Sequence, residues 1–257
     1  MQASDLDLLT AAARAAGHIA EKYWRRDPRI WEKPGHQGPV TEADLEIDRM
    51  LRDRLTKARP GYGWLSEETG DGPARLSATR VFIVDPIDGT RAFIGGERTF
   101  AHALAIAEHG EVTVAIVYLP MMGDLYHATP GGGAWLNGHR LYASGRDRLD
   151  GAAVLTARAA LEPAHWSGPP PHLKRSLRAS MAYRICLVAE GRYDAMLTLR
   201  DSWDWDTAAG ALIAREAGAI ITDRHGHALR FNTERPLSEG VIAAAPALHA
   251  EILARLA

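Results

Sequence analysis

From Arg80 onward the chain breaks into short runs of strand-forming residues: Val81-Phe82-Ile83-Val84, Ala103-Leu104-Ala105-Ile106-Ala107, then Val112 to Tyr118. Runs this short, rich in residues that suit a pleated surface, predict sheet strands. Asn137-Gly138, set between Ala134-Trp135-Leu136 and Arg140-Leu141-Tyr142, is the dipeptide that closes a two-residue hairpin. The stretch therefore predicts a largely antiparallel sheet.

The segment before it is helical. Ser4 to about Arg25 spaces Leu8, Leu9, Ala12, Ala16, Ile19 and Tyr23 on one face, with Ser4 as N-cap. Thr41 to Leu55 opens on a cap-like Thr and spaces Leu45, Leu51 and Leu55 near the helical period, which puts Asp44 in a first helical turn. Beyond about Gly145 strands and helices alternate: Ala152 to Thr156, Ser180 to Glu190, Ala195 to Thr198, Thr207 to Ala217, Ala219 to Thr222 and Val241 to Ala245. The expectation is an N-terminal α+β part, residues 1–144, and a C-terminal α/β part, residues 145–257, with any metal site between them.

The chain has 257 residues, 46% hydrophobic and 24% charged, which is ordinary globular usage. A formal net charge of -2 gives no global basic field for a nucleic acid polymer or an anionic membrane, so an anionic ligand must be captured locally. Cys186 is the single cysteine, which excludes an intramolecular disulfide and fits a reducing cytoplasm. The N-terminus is acidic where a secretory signal is basic, and no apolar run approaches a membrane span of about 18 residues. A soluble, cytoplasmic protein is expected.

Asp85-Pro86-Ile87-Asp88 follows its apolar strand directly, so two carboxylates emerge at a strand end with Pro86 fixing one φ angle. Carboxylates this close repel unless a cation or proton intervenes, and an all-oxygen set suits Mg²⁺ or Mn²⁺. Gly89-Thr90 adds backbone amides and a hydroxyl that suit an anion. By itself such a turn also reads as a solvated loop. Ser66-Glu67-Glu68-Thr69 after Trp64-Leu65, and Trp203-Asp204-Trp205-Asp206 opening a helix, place further acids beside apolar anchors, although Asp206 alone also reads as a helix N-cap. The 11 histidines show no helical zinc-pair spacing, Gly131-Gly132-Gly133 reads as a turn, and Cys186 reads as core. Trp205 reads as packing, while Trp203 reads equally as packing or as a surface for a ring.

Taken together, Pro39-Val40-Thr41-Glu42-Ala43-Asp44, Glu67-Glu68, Asp85-Pro86-Ile87-Asp88-Gly89-Thr90 and Trp205-Asp206-Thr207-Ala208-Ala209-Gly210 resemble the inositol monophosphatase superfamily in order and spacing, over roughly Lys33 to Ala245. The resemblance implies a layered αβαβα sandwich and a phosphoric monoester hydrolase that uses two or three Mg²⁺ ions, with Mn²⁺ as substitute. It implies Glu67, Asp85 and the Ile87 carbonyl as ligands of one metal, and Asp85, Asp88 and Asp206 as ligands of a second. Asp44 and Thr90, with Glu67, are the implied catalytic groups, and Gly89 and Thr90 the implied phosphate cradle. Lithium sensitivity, a mobile lid over Glu32 to Gly38 and a homodimer are further implications.

The substrate is expected to be a small phosphorylated metabolite. The inositol type has Asn two residues after the Thr, where this chain reads Thr90-Arg91-Ala92-Phe93, and Leu199 stands where it has a Glu for inositol hydroxyls. Ile185-Cys186-Leu187-Val188-Ala189-Glu190-Gly191 and the Trp205-to-Gly210 motif look like the 3'(2'),5'-bisphosphate nucleotidase branch, which makes adenosine 3',5'-bisphosphate the leading substrate, with Arg184 or Arg200 meeting its second phosphate. An inositol-1-monophosphatase and a histidinol-phosphatase are the enzymatic alternatives. A phospho-ligand-binding protein without turnover is the alternative of another kind, and the complete set of acids speaks against it.

Overall fold

The computed structural model describes residues 3–33 and 38–257. Helix α1 (Asp5–Tyr23) starts at Ser4, whose hydroxyl accepts from the Asp7 amide. Strands β1 (Ile30–Glu32) and β2 (Pro39–Thr41) form a two-stranded ribbon, and Thr41 opens α2 (Glu42–Ala58) through a reciprocal capping box with Asp44. Of the expected lid, Glu32 to Gly38, residues 34–37 lie outside the described residues.

Seven strands then build the larger sheet: β3 (Gly63–Ser66), β4 (Arg80–Asp88), β5 (Ala101–Glu108), β6 (Glu111–Leu119), β7 (Asp124–Thr129), β8 (Gly133–Leu136) and β9 (His139–Arg140), in that spatial order. Every pairing is antiparallel except β3 with β4, which run parallel. A short helix α3 (Thr90–Ile94) leaves the end of β4. Asn137 and Gly138 turn the last hairpin with φ of 49° and 83°, both in the left-handed region that a two-residue hairpin requires.

The second half contributes β10 (Ala153–Thr156), β11 (Lys174–Ser176), α4 (Met181–Ala189), β12 (Ala195–Thr198), β13 (Ser202–Trp203), α5 (Asp204–Glu216), β14 (Ile220–Thr222), β15 (Leu237–Ser238), β16 (Val241–Ala244) and α6 (Pro246–Arg255). The smaller sheet has the order β11-β10-β12-β16-β14, while β13 and β15 pair apart from it.

The period of two along the strands assigns each face to a layer. In β4, Phe82 and Val84 join α1 and α2 residues such as Leu9, Ala16, Ile47 and Leu51, whereas Val81 and Ile83 join Ile185, Leu187, Ile213 and other residues of α4 and α5. In β16, Val241 and Ala243 face that same α4/α5 layer, whereas Ile242 and Ala244 pack with Leu248 and Ile252 of α6. The result is the layered αβαβα sandwich that the sequence resemblance implies.

The helix carrying Asp206 begins three residues earlier than its apolar spacing suggests. Trp203 takes the N-cap place, so Asp206 lies inside the first turn and does not cap it. The parallel start of the large sheet, β3 beside β4, also has no counterpart in the sequence pattern. It matters because it carries Glu67 and Asp85 out of the same sheet end.

Candidate metal and phosphate site

Asp85 and Asp88 are an odd number apart, and in a regular strand their side chains would leave opposite faces. The ladder between β4 and β5 contains one extra residue: Asp85 pairs with Ala103 and Asp88 with Ala101. This bulge falls where Pro86 has no amide to give, and it turns Asp88 to the face of Asp85, toward α4 and α5. There the Asp88 carboxylate accepts from the Ser180 hydroxyl at 2.7 Å and from the amides of Met181 and Ala182 at 3.0 and 2.6 Å, at the first turn of α4.

Asp206 comes from the first turn of α5. One carboxylate oxygen each of Asp85, Asp88 and Asp206 lies within 4.8 Å of the others. Glu67 follows β3, and its amide donates to the Val84 carbonyl at 3.2 Å, so the parallel pairing sets it next to Asp85. Burial, then the charges of Glu67, Asp88 and Asp206, push the Asp85 carboxyl well above its ordinary value. Burial, with Asp88 and Glu67, does the same to Asp206. Burial also raises Asp88, against the pull of its three hydrogen bonds.

A buried oxygen of Asp85, Oδ1, has no hydrogen-bond partner among the described residues. An orphaned carboxylate oxygen among three other acids is a donor set arranged for a hard cation, and the residues present fit one.

Lys33 meets this set from the ribbon. Its amine lies 2.7 Å from Glu67 Oε1 and 2.6 Å from Glu68 Oε1. Burial opposes its charge, but the two glutamates outweigh that and hold the amine above its ordinary value. Burial and Glu67 push the Glu68 carboxyl up to about 7.

The groups expected to handle water are also together. Asp44 is fully buried, and its Oδ2 accepts from the amide and hydroxyl of Thr41 at 2.8 and 2.5 Å. Its Oδ1 faces the Thr90 hydroxyl at 3.3 Å, which also lies 3.1 Å from the Ile87 carbonyl. Burial raises the Asp44 carboxyl to about 6, with the Thr41 hydrogen bonds opposing and Glu67 adding to the rise. Gly89 holds a φ of 98°, and a Cβ there would stand 3.2 Å from the Ser180 amide nitrogen. The turn therefore packs directly against the start of α4.

These acids open into a cleft of about 1150 Å³, lined by Glu67, Asp85, Ile87, Asp88, Gly89, Thr90, Arg91, Arg200, Trp203, Trp205 and Asp206 among others. Arg91 and Arg200 are exposed on its wall. Arg184 is elsewhere: 7% exposed, it donates to the carbonyls of Ser180 and Ala179 and is absent from the lining. Leu199, which stands in the inositol-binding place of the sequence resemblance, packs under the outer sheet with Leu197 and Leu248.

Several supports have no sequence signal of their own. Asp48, on α2, accepts from Ser66 and Thr69 Oγ, both at 2.5 Å, and so grips the turn that carries Glu67. His102 is buried with Nδ1 on the Pro86 carbonyl, beneath the bulge, where burial lowers it to about 4. The neutral ring donates from Nδ1. Ser180 is the one support with a sequence signal, since a helix was expected to begin there.

The inositol monophosphatase family matches residues 1–257. An inositol-1-monophosphatase of Rhizobium meliloti (strain 1021) is 38% identical over 197 residues, 73% of each chain. A fructose-1,6-bisphosphatase/inositol-1-monophosphatase of Thermotoga maritima is 32% identical over 244 residues, 92% of each. Among solved structures, the extragenic suppressor protein SuhB of Bartonella henselae superposes with a TM-score of 0.80 at 27% identity, covering 96% of both chains. With a sandwich of the same build, an acid cluster suited to a metal and a match along its whole length, the chain belongs to the inositol monophosphatase family and is a phosphoric monoester hydrolase.

Proposed function

We propose that this chain is a Mg²⁺-dependent phosphatase of small phosphorylated metabolites, acting in the cytoplasm and inhibited by Li⁺. The observation that carries the reading is the buried Oδ1 of Asp85, without a hydrogen-bond partner among the described residues and beside Glu67, Asp88 and Asp206 in an open cleft. In this reading Glu67, Asp85, Asp88, Asp206 and the Ile87 carbonyl hold the ions. When bound, Mg²⁺ neutralises phosphate charge and makes water more acidic.

The rest falls to this chain's own groups. The amides of Gly89 and Thr90 cradle the phosphate, and Arg91 and Arg200 offset its charge from the wall. The Thr90 hydroxyl orients the attacking water. As the water oxygen bonds to phosphorus, its proton passes to Thr90 while Thr90 gives its own to Asp44 Oδ1. The bond from phosphorus to the alcohol oxygen breaks on the opposite side, and that oxygen leaves as the alcohol by taking a proton from solvent water, while Asp206 is among the residues that would hold the ion neutralising its charge.

The relatives' names bring inositol 1-phosphate forward as substrate. The two tryptophans on the cleft wall, with Leu199 turned into the outer core in the place of the inositol-type Glu, favour adenosine 3',5'-bisphosphate. A phosphate-release panel with both compounds, histidinol phosphate and fructose 1,6-bisphosphate, with and without Mg²⁺, tests the reading. Mg²⁺-dependent release from at least one is expected; binding without release would support the alternative of a phospho-ligand-binding protein.

A further inference from the structure

The N-terminus of α5 presents two indoles to the cleft. Trp205 packs partly buried against the main core. The Trp203 ring lies on it, with centroids 4.7 Å apart and planes 10° from parallel. Trp203 is 38% exposed although it sits beside the acid cluster, with Asp206 three residues on and thus a neighbour on the same side of the helix. An indole stacked on one side and open on the other leaves a flat apolar face toward the cleft.

That face is held firmly. Trp203 pairs with Leu237 in the β13–β15 ribbon. Its carbonyl accepts from the Thr207 hydroxyl at 3.1 Å. Next to it, the Asp204 amide donates to the Pro236 carbonyl at 2.9 Å, and the buried Asp204 carboxylate accepts from the Asn232 amide at 2.8 Å. Asp201 and Arg235 close the rim through an ion pair of 3.0 Å. A fixed ring loses little freedom when it receives another ring.

We propose that Trp203 is a specificity-determining residue, and that its exposed indole face stacks on a flat heteroaromatic ring, such as a nucleobase, carried by the leaving group. This rests on the reading of the cleft as a phosphatase site. The position that the sequence resemblance gives to a Glu for cyclitol hydroxyls is Leu199 here, and it packs in the outer core and not in the cleft. A base needs a flat apolar surface, which Trp203 supplies, while Arg200 lies exposed on the same wall for a second anionic group.

The test compares adenosine 3'-phosphate with glycerol 2-phosphate, which has no ring, in the full chain with Mg²⁺. In Trp203→Ala, the ratio of kcat/KM for the adenosine compound to that for glycerol 2-phosphate is expected to fall ~10-fold, through KM. Trp203→Phe is expected to keep most of the ratio, which a merely structural role for the indole would not predict. An unchanged ratio in Trp203→Ala overturns the proposal. Should that variant not fold, calorimetry on the wild type decides: adenosine 3'-phosphate binding ~10-fold more tightly than glycerol 2-phosphate supports the platform, and equal affinity overturns it. Absence of turnover of both compounds in the wild type would instead count against the phosphatase reading, and the ratio of their affinities in wild type and Trp203→Ala would still report on Trp203.

Discussion

Asp85 carries two opposite tendencies in one side chain. Without a cation it is a buried acid whose charge is opposed by burial and by four neighbouring acids, and in the proposed reading it is a ligand of the ion. Asp85→Asn is therefore expected to cut turnover on the order of a thousandfold while raising the melting temperature of the metal-free protein, both read on the same preparation. Thr90→Ala removes the hydroxyl between Asp44 and the Ile87 carbonyl, and a loss of about a hundredfold in kcat is expected. Thr90→Ser, which keeps the oxygen, should retain most activity. At this scale the acids were legible because they sit in short, ordered motifs. Lys33 and Asp48 were not, since nothing local to either residue says that it will meet Glu67 and Glu68 or Ser66 and Thr69 across the fold.

Elements turn those residues into a site. β4 was recognisable from Val81-Phe82-Ile83-Val84, but the bulge that brings Asp85 and Asp88 to one face depends on the register with β5, which a single strand does not display. The same holds for β3, whose parallel pairing was not evident from Trp64-Leu65. α2 secures the β3 turn through Asp48. Asp48→Ala would leave two hydroxyls without their acceptor, and a stability loss of roughly 1–3 kcal/mol is expected, with the Mg²⁺ concentration for half-maximal activity rising about tenfold. Denaturant titration and a Mg²⁺ titration check the two parts separately.

For the molecule as a whole, pH acts through several buried acids at once. Glu68 and Asp204 are raised to about 7 and Asp44 to about 6, each mainly by burial. The folded chain therefore holds protons that the unfolded chain has released from about pH 4 upward, and this part of the stability is lost as pH rises from about 4 to about 7. His102, lowered to about 4, and His127 and His249, also lowered by burial, work in the other direction over part of that range. The metal-free protein is expected to melt several degrees lower at pH 8 than at pH 5, and Mg²⁺ to raise the melting temperature more at pH 8. Calorimetry at the two pH values, with and without Mg²⁺, checks both.

The largest core is common to both halves of the chain: α5 lies across β4, β5, β6, β7 and β8, and its Glu216 carboxylate accepts from the amides of Gly131 and Gly133 at 2.9 and 2.8 Å. The exposed stretch around Asp147 and Arg148 is a thin covalent link beside that shared surface. If the chain were expressed as two pieces divided there, neither would have a complete interior alone, and each would be the other's missing half. Their union would restore Asp206 to Asp85 and Asp88, so that released phosphate would announce the encounter and the molecule would serve as a split reporter.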